Sequence, residues 1–387
     1  MRFRAATLNA WAFPEPFGHR VDSRMRAIGD GLEALDVDAI AFQELWTAES
    51  RDILVRAGRR VGLDHSWQSR APIGGSGLLV LSRHPIESVR FETFSLPARP
   101  PRLDHPDYYG GKGFVRARLR TPEGIVNFFD THLHARYRND VSHEYRAYRI
   151  GQIVQLAMET LRTNEPLIVV GDFNIRPGDP EYRVLQGLTG LRDAAAESGT
   201  AQPTVTRSNP YRSHSDKPNR RIDFIFVRDG VQHRLRSKTT RIVFDEVFPI
   251  SGEKNSYSDH AGVWAEFDLE SAPGSGRPVP KPEAIRMASQ LLAQGIAEAH
   301  HRRKSDRLLA GAGLGAAVLT TIGGHDRRIS RRRLLRNTLR GIGIVSLTPG
   351  IGFSLLSEVF APEELRTFER LDAQLSNMPW PSQDIVA

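Results

Sequence analysis

The chain has 387 residues, 40% hydrophobic and 25% charged, a globular composition too long for one small domain. It has no cysteine, which excludes a disulfide framework and any thiolate metal site. The formal charge is +8, but residues 271–387 hold 16 Lys+Arg against 10 Asp+Glu and residues 1–270 hold 37 against 35. The basic excess therefore lies in the tail, which disfavours a nucleic-acid substrate, because such enzymes place positive charge around the cleft.

Residues 1–9 lack the apolar run of a signal peptide, which predicts a cytoplasmic chain, and residues 2–8 read as a first strand ending at Asn9. Helical spacing follows over 23–35, with Ile28, Leu32 and Leu35 on one face. Further strands are predicted over 39–42, 77–81, 126–131, 167–170, 222–227 and 262–267, with a second helix over 144–161, a layered α and β pattern. Residues 271–282, rich in Pro, Gly and Ser, read as a linker after a catalytic domain spanning 1–270. The extension, 283–387, begins with a helix over 283–307 and continues through two uncharged stretches, 308–324 and 341–357.

Polar residues recur where the apolar runs stop. Asn9 follows the first strand, Glu44 the second, and His132 the run ending in Asp130-Thr131; Asp172 and Asn174 follow 166–171. Asp223 lies in Arg221-Ile222-Asp223-Phe224-Ile225, and Ser258-Asp259-His260 precedes the last strand. Strand ends gather at one rim of a layered sheet, so oxygen ligands and two imidazoles distant in sequence converge there as a hard-metal phosphate site.

These segments, with Gly75-Ser76-Gly77-Leu78-Leu79-Val80-Leu81-Ser82-Arg83-His84-Pro85, resemble the endonuclease/exonuclease/phosphatase superfamily over about the first two-thirds of the chain. The resemblance implies an α+β fold, a four-layer α/β/β/α sandwich of two packed mixed sheets, here with a helical C-terminal extension. Within the superfamily, Gly111-Lys112-Gly113-Phe114, Thr131-His132-Leu133-His134-Ala135 and Thr189-Gly190-Leu191-Arg192-Asp193-Ala194 are similar to the neutral sphingomyelinases.

On that reading the chain is a Mg²⁺-dependent phosphodiesterase acting on a phospholipid headgroup, with Mn²⁺ as an alternative ion. Glu44 suits direct coordination of a hard cation, Asn9 completes its shell, and Asp259 faces the metal or its waters. His260 is the general base; sequence neighbours in an extended chain point to opposite sides, so Asp223 rather than Asp259 orients its ring. Asp172 positions the attacking water, Asn174 donates to a phosphate oxygen, His132 contacts the phosphate or aids the leaving group, and Lys112 meets phosphate or headgroup. His134 has no catalytic assignment. A nuclease or an inositol-phosphate phosphatase remains an alternative with the same chemistry. A non-catalytic membrane scaffold is another, although intact Glu44, Asp172, Asn174 and His260 argue against it.

Each uncharged stretch has 17 residues and, as a helix, spans about 26 Å against a bilayer core of about 30 Å. Between them, 325–340 carries seven arginines and one aspartate. With no signal peptide to export the catalytic part, a monotopic hairpin on a membrane surface fits better than two full spans. The alternative is a pair of Gly- and Ala-rich helices packed on themselves or on the enzyme domain.

Overall fold

The computed structural model describes residues 1–14, 18–69, 76–98, 110–137, 143, 145–212, 218–274, 277–325 and 333–377. Gly75 of the Gly-Ser-Gly motif, Glu144 of the second predicted helix, Ser275 and Gly276 of the linker and 326–332 of the basic stretch lie outside the described residues. The chain divides into two compact units, one built from Met1–Ala98 and Asp104–Ala288, the other mainly from Ser289–Asn377.

In the first unit, β1 (Arg2–Ala12) lies between β14 (Gly262–Ser271), antiparallel, and β2 (Ala39–Leu45), parallel. With β3 (His65–Gln68), β4 (Leu79–Ser82) and β11 (His233–Val243) they form a six-stranded mixed sheet in the order β11-β14-β1-β2-β4-β3. The second sheet runs β5-β6-β7-β8-β10-β9, from β5 (Ile86–Thr93), β6 (Gly113–Thr121), β7 (Gly124–His132), β8 (Leu167–Asp172), β10 (Asp223–Arg228) and β9 (Arg192–Asp193). A hairpin of β12 (Val247–Ile250) and β13 (Glu253–Ser256) stands apart.

Strand alternation builds the layers. Phe3 and Ala5 of β1 join Val115, Phe128, Ile168 and Ile225 in the core between the sheets. Ala6 and Leu8 face the other way, into a cluster with Met25, Ile28 and Leu32 of α1 (Val21–Leu35) and Ile53 and Leu54 of α2 (Ala48–Arg60). On the far face, Arg116 of β6 pairs with Glu159 of α3 (Arg146–Thr160) at 2.9 Å. Tyr182 of α4 (Pro180–Thr189) packs against Phe224 and Phe226 of β10, and the short α5 (Ala194–Glu197) follows β9. The architecture is α+β, helix layers outside two face-to-face mixed sheets.

The second unit is a helical hairpin. The helix expected over 283–307 extends through the first uncharged stretch, and α6 runs without interruption over Pro282–His325, 44 residues. Continuous helix returns through α7 (Arg333–Leu355), a π-turn over Leu356–Phe360 and α8 (Ala361–Asn377). One half of the hairpin is held by polar contacts: Ser289 with Asp372, Arg302 with Glu364, and Arg303 and Arg307 with Glu358. In the other half, Gly313 and Gly350 meet so closely that a Cβ at Gly313 would lie 2.9 Å from the Gly350 Cα. Arg336–Asn377 is long and apolar enough to cross a membrane, and only 17% of its most apolar window is buried.

Candidate active site

Strand register brings the polar strand ends together. On the first sheet Asn9 is level with Gln43, one residue before Glu44. On the second, Asp172 is paired with His132 on one side and Asp223 on the other. Gly171 makes that pairing possible: its φ is +137°, and a Cβ there would lie 1.9 Å from the Thr131 carbonyl oxygen. Glu44 itself adopts φ +61°, a costly left-handed backbone braced by the Leu45 N–H bond to the Gly77 carbonyl at 2.9 Å. Trp11 and Asn174, also at the rim, share positive φ.

Donor atoms of Glu44, His132 and Asp172 lie within 4.8 Å of one another, and so do those of Asp172, Asp223 and His260. Asn9 bridges the first group, its amide N–H₂ donating to Glu44 at 3.0 Å and to Asp172 at 3.1 Å. His132 Nε2 is 3.2 Å from Asp172 and 3.8 Å from Glu44. The buried Lys112 ammonium is 2.6 Å from His132 Nε2 and 2.9 Å from Nδ1. Asn174 donates its backbone N–H to Asp172 and its side chain to the Leu133 carbonyl, both at 3.0 Å. His260 Nδ1 faces Asp223 at 3.0 Å, while Asp259 is ion-paired with Arg212. Glu44, His132, Asp172, Asn174, Asp259 and His260 line one cleft of about 230 Å³, while Asn9, Asp223 and Lys112 stand behind it; Lys112, expected at the phosphate or headgroup, is instead buried against His132. His134 is buried instead beside Tyr145, their rings 4.1 Å apart.

Supporting roles appear that motif reading had not assigned. Thr204 donates to Asp223 from behind, and Ser258 Oγ donates to the Asn9 carbonyl at 2.6 Å, tying the two ends of the site. Arg24, fully buried, donates to the carbonyls of Ala10, Trp11, His19 and Tyr257 and so clamps both segments. Arg24 had a legible signal: it shares the apolar stripe of α1 with Val21 and Ile28. Arg136, Arg176, Arg212 and Arg220 line the cleft, so it carries the positive charge that the count by region had assigned to the tail, and that count no longer argues against a nucleic-acid substrate.

The charges are strongly coupled. Burial alone would raise Asp172, but His132, His260 and Lys112 hold it well below the ordinary carboxylate range. Glu44 is raised by burial, partly offset by His132 and Lys112. Burial opposes a charged His260, yet Asp223, Asp259 and Asp172 outweigh it and push the imidazole up to about 10. The donor set is rich in carboxylate oxygen, which suits a hard divalent cation, and the three carboxylates Glu44, Asp172 and Asp259 gain from one more positive charge between them.

The family model for the endonuclease/exonuclease/phosphatase family matches residues 6–260. The chain belongs to that family. Among the family's relatives, a Drosophila melanogaster chain bearing the name of neutral sphingomyelinase is 34% identical over 70% of this chain and 62% of its own length. Rat sphingomyelin phosphodiesterase 2 is 28% identical over 77% of this chain and 74% of its own. The inositol phosphosphingolipids phospholipase C of Schizosaccharomyces pombe is 29% identical over 70% and 69%. Solved structures share the family fold at lower identity. SmcL superposes with a TM-score of 0.57 at 17% identity over 69% of this chain and 99% of its own. Zebrafish TDP2 with a single-stranded DNA product reaches 0.54, also at 17%, over 69% and 99%. One fold thus hosts both lipid and DNA chemistry, and substrate must be argued from the site.

Proposed function

We propose that this chain hydrolyses the headgroup phosphodiester of a phosphosphingolipid with a divalent metal, as in the conversion of sphingomyelin to ceramide and phosphocholine. The observation that carries the reading is the convergence of Glu44, His132, Asp172 and His260 on one cleft, in a family whose named relatives act on sphingolipid phosphodiesters. The cleft is smaller than the about 300–1,000 Å³ of a pocket enclosing a drug-sized ligand. It suits a headgroup, with the lipid body left outside.

Glu44 would hold Mg²⁺, or Mn²⁺ in its place, with Asn9 and Asp259 near its shell; when bound, the ion neutralises charge growing on the phosphate oxygens. His260, held by Asp223 through Nδ1, presents Nε2 to the attacking water. A further positive charge beside Asp172 and Asp259 brings its imidazole back down, which is what a base at neutral pH requires. Asp172 orients the water, Asn174 donates to a phosphate oxygen, and His132, backed by the buried Lys112 ammonium, stands beside them toward the leaving alcohol. The water oxygen bonds to phosphorus as the ceramide oxygen leaves, taking up a proton.

We assign the chemistry to residues 1–270, linked by 271–282 to an extension, 283–387, seated on the cytoplasmic face of a membrane. Support comes from the exposed apolar half of the helical hairpin, where Leu319, Ile344 and Val345 are 71%, 69% and 73% exposed. Parallel assays of sphingomyelin, lysophospholipid and abasic DNA in mixed micelles with Mg²⁺ test the substrate. Turnover of sphingomyelin that stops in chelator is expected, and turnover of DNA alone refutes the reading. His260→Ala should lower kcat by about 10²–10⁴ in the same assay.

A further inference from the structure

Beside the metal and phosphate residues the cleft has a second, basic wall. Arg136 is tied back to Asp179, and Arg212 to Asp259. Arg176 and Arg220 have no such tie: among the described residues neither guanidinium makes an ion pair or a side-chain hydrogen bond, although both line the cleft. The Arg220 Nε is fully buried without a partner. For that buried N–H the lack of an acceptor is costly, and both guanidinium groups, partly exposed, offer open donors to a ligand in the small cleft.

The aromatic residues of the same cleft do not offer the alternative, a cage for a quaternary ammonium. Trp11 already has the Arg24 guanidinium 5.0 Å from its ring centroid and Tyr211 packed at 5.0 Å. Phe13 leans on Trp46, and Tyr137 meets His134 and Tyr145 edge-on. Choline carries no hydrogen-bond acceptor and is repelled by guanidinium. A polyhydroxylated or anionic headgroup supplies acceptors in the right place.

We propose that Arg176 and Arg220 form a headgroup subsite, and that this chain consequently prefers phosphosphingolipids whose headgroup is rich in acceptor oxygens over those bearing choline. The inference rests on the phosphodiesterase reading and adds a specificity to it. Each guanidinium grips headgroup oxygen, so the subsite acts on capture of the substrate and reads out in KM more than in kcat.

The test compares the full-length protein on ceramides carrying phosphoinositol, phosphoglycerol, phosphoethanolamine and phosphocholine, in identical micelles with Mg²⁺. The glycerol and inositol arms separate a simple hydroxylated headgroup from a ring polyol. kcat/KM for the inositol lipid should exceed that for the choline lipid by about tenfold or more, the worth of one charge-assisted hydrogen bond. Arg176→Gln and Arg220→Lys, with folding verified by circular dichroism, should each narrow that ratio several-fold through KM. A choline lipid cleaved as fast as the inositol lipid, or ratios untouched in both variants, would overturn the subsite and leave the phosphodiesterase reading standing. No turnover of any of the four lipids, with DNA cleaved, would overturn that reading itself.

Discussion

His260 is the residue whose protonation the surrounding carboxylates control most directly. In chelated protein its pKa is about 10 against about 6.5 for an unfolded chain. The native state therefore holds one proton more between those values. The stability this supplies is complete below about pH 6.5 and is lost as pH rises toward about 10, at up to about 1.4 kcal/mol per pH unit. Denaturant midpoints in chelator should fall between pH 7 and pH 9, and His260→Gln should flatten that fall; equal slopes would contradict the assigned coupling. Arg24 supports the site differently, by satisfying four backbone carbonyls at its edge. Arg24→Met removes those donors and is expected to cost more than about 3 kcal/mol. In urea denaturation, a loss below about 1 kcal/mol would remove its clamping role.

At the level of elements, the site depends on β7 and β8 staying in register, because that pairing sets His132 beside Asp172. Gly171→Ala places a methyl group against the Thr131 carbonyl and a side chain at φ +137°. Expected outcomes are a loss of at least about 3 kcal/mol, since strain adds to the clash, and turnover lost in whatever folds. A variant with wild-type melting and turnover would show the strand pair to be more plastic than its geometry allows. The same strands explain what was legible beforehand. β2, β8 and β10 are buried on both faces, so each reads as an apolar run whose polar neighbour stands out: Glu44, Asp172, Asp223. β5 and β11 went unread because they are edge strands with partly exposed, charge-bearing faces and give no such run. Arg176 and Arg220 were invisible for another reason. In a chain with 53 Lys+Arg, a loop arginine carries no signal until the fold shows which loops meet.

Across the whole molecule, the two units are built on opposite logics. The first buries its apolar residues between layers, while the hairpin of α6 and α7 leaves Leu308, Leu319, Ile344 and Val345 open and packs its helices through glycine instead. Close backbone approach through small residues, with large apolar side chains turned outward, is how helices associate in lipid, where no hydrophobic force drives them together. The polar half, with Arg303 and Arg307 on Glu358, stays compatible with water and would lie outside the bilayer. Flotation on liposomes containing anionic lipid should therefore carry the full chain upward, and Ile344→Asp with Val345→Asp should leave it in the soluble fraction, since each charge costs about 3 kcal/mol in a bilayer interior. Removing the hairpin is the complementary experiment, and the cut belongs after Ala288 rather than at Glu270. Ala284 fills the space beside Gly187 of α4, and the Lys281 N–H bonds to the Gly187 carbonyl at 2.8 Å, so an earlier cut would strip packing from the first unit. A chain ending there should stay soluble, lose flotation and retain turnover of detergent-dispersed substrate. Flotation persisting in both variants would place the membrane contact on the first unit.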